Sequence, residues 1–193
     1  MRVSREKAAA NRDRIVDAAA TLFRAKGFGG IGVADIMKAA ALTHGGFYGH
    51  FASKEDLVAQ ASRRTMARAA ANWEGIAADA PDHPYAALLR HYLTPRHRDD
   101  PGRGCPFAAL GTDAARSGKV VRTAFAEGLE PLIAILAEAI AGGSKAARRR
   151  KAVAAMAGLV GALTLARAVG DGPPSDEILN AVRRELLAAA EHA

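Results

Sequence analysis

Apolar residues recur at helical spacing along most of the chain, and the breaks between the periodic stretches fall at glycine, proline or serine. Ile15, Ala19, Leu22 and Phe23 follow the i, i+4, i+7, i+8 rule, which predicts an amphipathic helix over roughly residues 6–25, ending at Lys26-Gly27. After the glycine-rich stretch GFGGIG, Val33, Ile36, Met37 and Ala40 mark a second, short helix. Thr43 is placed to cap a third over 43–51. Ser53 opens S-K-E-D, a capping box with Asp56 at the third helical position, ahead of a long helix to about Ala78. Pro81 and Pro84 punctuate its end.

The same reading continues to the C-terminus. It predicts a helix near 85–97, a loop at Pro101-Gly102-Arg103-Gly104, and a short helix from Cys105 to Ser117. A longer helix follows over about 119–141, which Pro131 is expected to kink. GGS at 142–144 breaks the chain, and helices near 145–169 and 176–191 close it, separated by GDGPPS. There is no strand run and no internal repeat, so the fold class is all-α.

Two short helices meeting near Ala40-Ala41-Leu42-Thr43 have the outline of a helix-turn-helix, whose second helix offers its first residues to the major groove. The stretch THGGFYGHF then acquires a rationale. Gly45 and Gly46, lacking side chains, let the backbone approach DNA closely, with free amides and a positive helix end that suit a phosphate. Phe47 and Phe51, at i and i+4, both turn inward and hold the short helix on the first one. Tyr48 and His50 then face outward, and Lys54 stands at the start of the next helix. Thr43, Tyr48, His50 and Lys54 suit phosphate contacts, and His44 is placed to reach base edges.

Charge agrees with this. Residues 1–54 hold nine basic side chains, from Arg2 to Lys54, against four acidic ones, a surplus of five within a chain whose total is +7. A compact basic module is the footprint of a polyanion binder.

The run G-V-A-D-I-M-K-A-A-A-L-T-H-G-G-F-Y-G-H-F-A-S-K-E-D-L resembles the signature of TetR-type bacterial repressors over about residues 10–60. The resemblance implies a DNA-binding domain over 1–54 and a divergent helical domain over 55–193 that binds ligand and dimerises. It implies base contacts from His44, Gly45 and Gly46, and phosphate contacts from Thr43, Tyr48, His50 and Lys54. Two positions depart from the pattern. Ala41 occupies a turn position where similar proteins generally carry glycine, and a positive φ there costs alanine about 1 kcal/mol. Gly49 stands where a large or basic side chain is common, which removes one DNA contact.

The function expected is a transcriptional repressor that binds a palindromic double-stranded operator as a homodimer and is released by a small-molecule effector. For dimerisation, Met156, Val160 and Leu163 line one side of the penultimate helix and Ile178, Val182 and Leu186 form a stripe on the last. Four such helices across a two-fold axis would make a bundle, whereas an intramolecular helix pair is the alternative. The aromatic residues Trp73, Tyr92, Phe107 and Phe125 fall on the middle helices, which in similar proteins enclose the effector. Cys105, in R-G-C-P-F, reads as a helix N-cap with Pro106 at the first position. A thiol there, near Arg103, is expected to favour its thiolate, and the segment is similar to the Gly-Cys helix start of electrophile- and oxidant-sensing TetR-type repressors.

A Cys105 nucleophile with His83, His91 or His97 as base would make the chain an enzyme, but no nucleophile elbow, phosphate loop or metal-ligand spacing accompanies it. That reading would also leave the basic module unexplained, and a helical adaptor that binds protein rather than DNA is a further alternative. Neither reading is preferred, and no cofactor or metal is expected. No run approaches the roughly 20 uninterrupted apolar residues of a membrane span. The charged start MRVSREKAAANRDR has no signal-peptide core. One cysteine fits a reducing cytoplasm.

Overall fold

A computed structural model describes residues 5–191; Arg2, one of the basic residues counted above, lies outside the described residues. Ile15, Val16, Ala19, Ala20 and Phe23 share one face of α1 (Arg5–Lys26) and are buried, so the periodic stripe does become core. Against it pack α2 (Val33–Ala39) and a 3-10 helix, His44–Gly49. The long α3 (Lys54–Ala78) follows, then α4 (Pro84–Tyr92), α5 (Pro95–Asp99), α6 (Pro106–Ala115), α7 (Lys119–Ala139), α8 (Lys145–Ala168) and α9 (Pro173–Glu191). Among the described residues there is no strand, and the fold is all-α.

The capping box forms: the Asp56 amide donates to Ser53 Oγ at 3.1 Å. Its return bond reaches one residue further back, from the Ala52 amide to Asp56 Oδ2 at 3.2 Å. Three other expectations need correction. The helix expected near 85–97 is two helices, because Pro95 forces Thr94 into an extended conformation and restarts the chain at a new first turn. The element expected as a helix over 43–51 is a six-residue 3-10 helix containing three glycines, and the Thr43 side chain makes no capping bond. The last helix starts earlier, at Pro173, since proline is tolerated in a first turn.

Ala41 sits at φ 53°, in the left-handed region that disfavours a Cβ. Ala41→Gly is therefore expected to stabilise the fold by about 1 kcal/mol, raising the midpoint of urea unfolding. An unchanged midpoint would mean that the turn relaxes around alanine without strain.

Two apolar clusters fill the molecule, and α3 passes through both. The first joins α1, α2, Phe47 and Phe51 to Leu57, Val58 and Met66 of α3, then to Leu110, Val121 and Phe125. The second gathers Trp73, Leu88, Leu89, Tyr92, Leu132, Leu136, Leu159 and Leu163. α3 and α7 approach so closely that a Cβ at Gly128 would overlap the Met66 side chain.

α8 lies against α7 and α9. Met156 and Leu163, expected at a dimer face, are buried in the chain's own core, since α8 turns that side inward. Val160, Ile178, Val182 and Leu186 are partly buried against the same cluster, and a Cβ at Gly158 would touch both Val182 and Leu186. The stripe on α9 thus packs on α8 within one chain. By length and composition α8 is apolar enough to cross a membrane, yet this inward face is ordinary core.

Candidate nucleic-acid interface and cavity

The N-terminal surface is built on two aromatic anchors. Phe47 and Phe51 are buried and stack at 5.5 Å between ring centroids, and Arg12 lies 5.3 Å from the Phe51 ring centre. Arg14 donates to the Ala40 carbonyl at 2.5 Å, pinning the turn between α2 and the 3-10 helix. With the anchors inward, Thr43, His44 and Gly45 are exposed, Gly46 and His50 half-buried, and Tyr48 is 73% exposed. Lys54 is half-buried, and its ammonium donates to the Phe28 carbonyl at 2.6 Å. The sequence therefore locates one contiguous polar face, with Lys54 partly committed to the loop after α1.

A Cβ at Gly45 or Gly49 would meet nothing within 4 Å, and one at Gly46 would make only ordinary contacts. None of the three has a positive φ. The fold itself has no need of glycine at these positions. At Gly45 and Gly46 the missing side chain leaves the backbone open to close approach by a partner.

A second feature is a cavity of about 650 Å³ between α1, α3, α4, α5 and the start of α6. Trp73, Tyr92 and Cys105 line it, as the sequence suggests. Phe107 and Phe125 do not. Their rings meet edge to face at 5.3 Å, and Phe125 also meets Phe28, so they form a seam joining the loop after α1 to α6 and α7. The sequence reading missed the polar wall: Arg24, Thr65, Arg68, Asn72, Arg96 and His97. A signal for part of it was present in the dense run TPRHRDDPGRGC. No local pattern distinguished Arg24 from any polar residue of α1.

His97 is fixed at both nitrogens. Nε2 accepts the Cys105 amide at 2.9 Å, so the proton sits on Nδ1, 2.8 Å from the Tyr92 carbonyl. Burial pulls its pKa down to about 4, and the imidazole is neutral at pH 7. Neither nitrogen is free to take a proton from the Cys105 thiol, which removes the base the enzyme reading needed from His97. Cys105 is the N-cap of α6 with Pro106 at its first turn, as expected. Its electrostatics run the other way. Burial pushes the thiol above its ordinary value, outweighing the Tyr92 hydroxyl and the Ala108 and Phe107 amides that favour thiolate. Arg103, expected to assist, is 82% exposed and faces Asp100.

The Tyr92 ring sits edge-on to Trp73 and to His97. Its hydroxyl is buried, and burial, with the Cys105 sulfur beside it, holds it protonated. Among the described residues, no group of three or more His, Cys, Asp or Glu side chains could hold a metal ion.

The surface and the cavity are linked mechanically. Arg24 of α1 donates from Nε to the Gly102 carbonyl at 2.8 Å and from Nη1 to Thr65 Oγ1 at 2.6 Å. The Phe28 amide donates to Asp113 Oδ2 of α6 at 2.9 Å. Arg64 of α3 holds Asp13 and Asp17 of α1.

Residues 15–61 match the model of the bacterial regulatory proteins, tetR family. No curated protein matches the chain. Among solved structures, the TetR-family transcriptional regulator of Cytophaga hutchinsonii is 23% identical with a TM-score of 0.78, covering 98% of each chain. The reduced form of E. coli NemR is 21% identical with a TM-score of 0.77, covering 92% of this chain and 95% of that one. A TetR-family regulator of Agrobacterium tumefaciens is 22% identical with a TM-score of 0.75, over 94% and 98%. Residues 15–61 are thus similar to the bacterial regulatory proteins of the tetR family, and over nearly its whole length the chain has the all-helical fold of these solved structures.

Proposed function

We propose that the chain is a repressor that binds a two-fold symmetric operator as a homodimer and is released by a small molecule held in the cavity. α3 carries this reading. Leu57 and Val58 of its first turns belong to the core under the DNA-facing surface, and Thr65, Arg68, Asn72 and Trp73 of the same helix line the cavity. Its 25 residues make a rod about 37 Å long, so a ligand that displaces the cavity end moves the reading surface as a lever. Release requires only that the ligand prefer the arrangement that misfits DNA.

In this reading residues 1–54 read DNA and 55–193 bind ligand and pair. His44, Gly45 and Gly46 meet base edges, and Thr43, Tyr48, His50 and Lys54 meet phosphates. The unpartnered side of α8 supports pairing: Ala154, Ala157, Gly161, Leu165 and Ala168 recur at helical spacing and are exposed or half-exposed, and a Cβ at Gly161 would meet open space. Leu165→Glu is expected to shift the protein from dimer to monomer in sedimentation; a dimer that persists unchanged would place the interface elsewhere.

The direct test is an anisotropy titration of the DNA upstream of the chain's own gene. Tight binding, at least a hundredfold above unrelated DNA and falling steeply with salt, is expected. Equal affinity for both DNAs would overturn the operator reading.

A second reading makes Cys105 the trigger. It is favoured by the position of the thiol on the cavity wall, beside the buried Tyr92 hydroxyl, and by the reduced form described for the similar NemR. Because the thiol is pushed up, alkylation by iodoacetamide is expected to be slower than that of a free thiol at pH 7 and to climb beyond pH 9. N-ethylmaleimide should release DNA from the wild type and not from Cys105→Ser. Release from both, or from neither, would retire the thiol trigger.

A further inference from the structure

The cavity wall is dominated by cations: Arg24, Arg68, Arg96 and Arg103 border it, with Asp100 as its one carboxylate. Arg68 is paired with Asp17 at 2.9 Å, and Arg103 lies 3.8 Å from Asp100. Arg24 differs from both. Its guanidinium is half-buried, its hydrogen bonds go to the neutral Gly102 carbonyl and Thr65 hydroxyl, and among the described residues it has no carboxylate in ion-pair range. A guanidinium taken out of water without a counter-charge is destabilising unless an anion joins it.

The same wall has an apolar part, made by Ala69, Trp73 and Leu132, with the buried Tyr92 ring edge-on to Trp73.

We propose that the cavity takes an organic anion, a carboxylate or other oxyanion on an apolar body, with the anionic group against Arg24 and the body against Trp73, Tyr92 and Leu132. This rests on the reading of the cavity as the effector site and gives that effector its chemical class. It also gives a route of action. Arg24 belongs to α1, Thr65 to α3, and Gly102 to the turn between α5 and α6. An oxyanion that engages the guanidinium competes with Gly102 and Thr65 for it, so ligand binding changes the ties that set α1 against α3.

Trp73 is the chain's one tryptophan and stands in the cavity wall, so energy transfer from it reports occupancy of this site. Two probes share a ring system: 1-anilinonaphthalene-8-sulfonate is anionic, and N-phenyl-1-naphthylamine lacks the sulfonate. Titrated against the full chain without DNA, the anionic probe is expected to bind at least tenfold tighter, with quenching of Trp73. Arg24→Gln should abolish that preference and leave the neutral probe's affinity unchanged, and Arg24→Lys should keep most of it. Equal affinities in the wild type, an unmoved preference in Arg24→Gln, or binding without energy transfer would overturn the proposal. If Arg24→Gln loses both probes, Arg24→Lys decides: a retained preference upholds the charge, a lost one overturns it. Because no DNA is present, failure here leaves the repressor reading standing, and failure of operator binding leaves this result standing.

Discussion

Replacing Gly45 with leucine is expected to lower operator affinity at least a hundredfold while the melting temperature stays within about 2 °C of the wild type. The two halves of this expectation have separate causes. Stability is spared because a Cβ at Gly45 points into open space and the residue has no positive φ, so a larger side chain meets neither clash nor backbone strain. Affinity is lost because the proposed complex brings the Gly45 backbone against the duplex, where four added carbons would hold the 3-10 helix away from the groove. Gly49 provides the contrast. It is equally open, and similar proteins often carry a basic side chain there, so Gly49→Lys should bind as well as the wild type or better. Undiminished binding by Gly45→Leu would show that this element does not present its backbone to DNA.

The second large effect concerns acid. His97 is neutral in the folded chain, with a pKa of about 4 against an ordinary 6.5. Its folded-state value is depressed, so it contributes stability that is fully present above about pH 6.5 and is lost as pH falls through 4. The difference corresponds to about 3 kcal/mol. Protonating Nε2 also breaks the bond from the Cys105 amide, which sets the start of α6 at the cavity wall. Urea unfolding of the wild type should therefore lose about 2 to 3 kcal/mol more between pH 7 and pH 4.5 than His97→Gln loses. The variant should begin lower and change less. Parallel pH profiles for the two proteins would mean that the imidazole accepts its proton at little cost.

These two residues stood differently in the sequence. Gly45 was legible because its meaning depends on neighbours within a few positions: the inward pair Phe47 and Phe51, the capping serine, and the glycines between. His97 was visible only as a candidate base for a cysteine eight residues on. Its actual role, a neutral ring bridging the Tyr92 carbonyl and the Cys105 amide, follows from the break at Leu93-Thr94 that turned one expected helix into two. The thiolate expected at Cys105 failed for a similar reason. A helix start and a nearby arginine favour the anion, but the sequence could not show that the thiol is buried while Arg103 reaches into solvent.

The sequence by itself determined most of the helices, the turn near Ala41, the capped start of α3, and the polar run from Thr43 to His50. All of these are set by interactions spanning one or two helical turns, and periodicity and capping record such interactions directly. The tertiary structure alone decided the side of α8 that is core, the exclusion of Phe107 and Phe125 from the cavity, and the meeting of Arg24 with Gly102 across 78 positions. A helical stripe shows that a face will be buried and not what it will be buried against. A cavity is the space left when several such faces pack, so its walls are drawn from distant segments with no shared pattern along the chain.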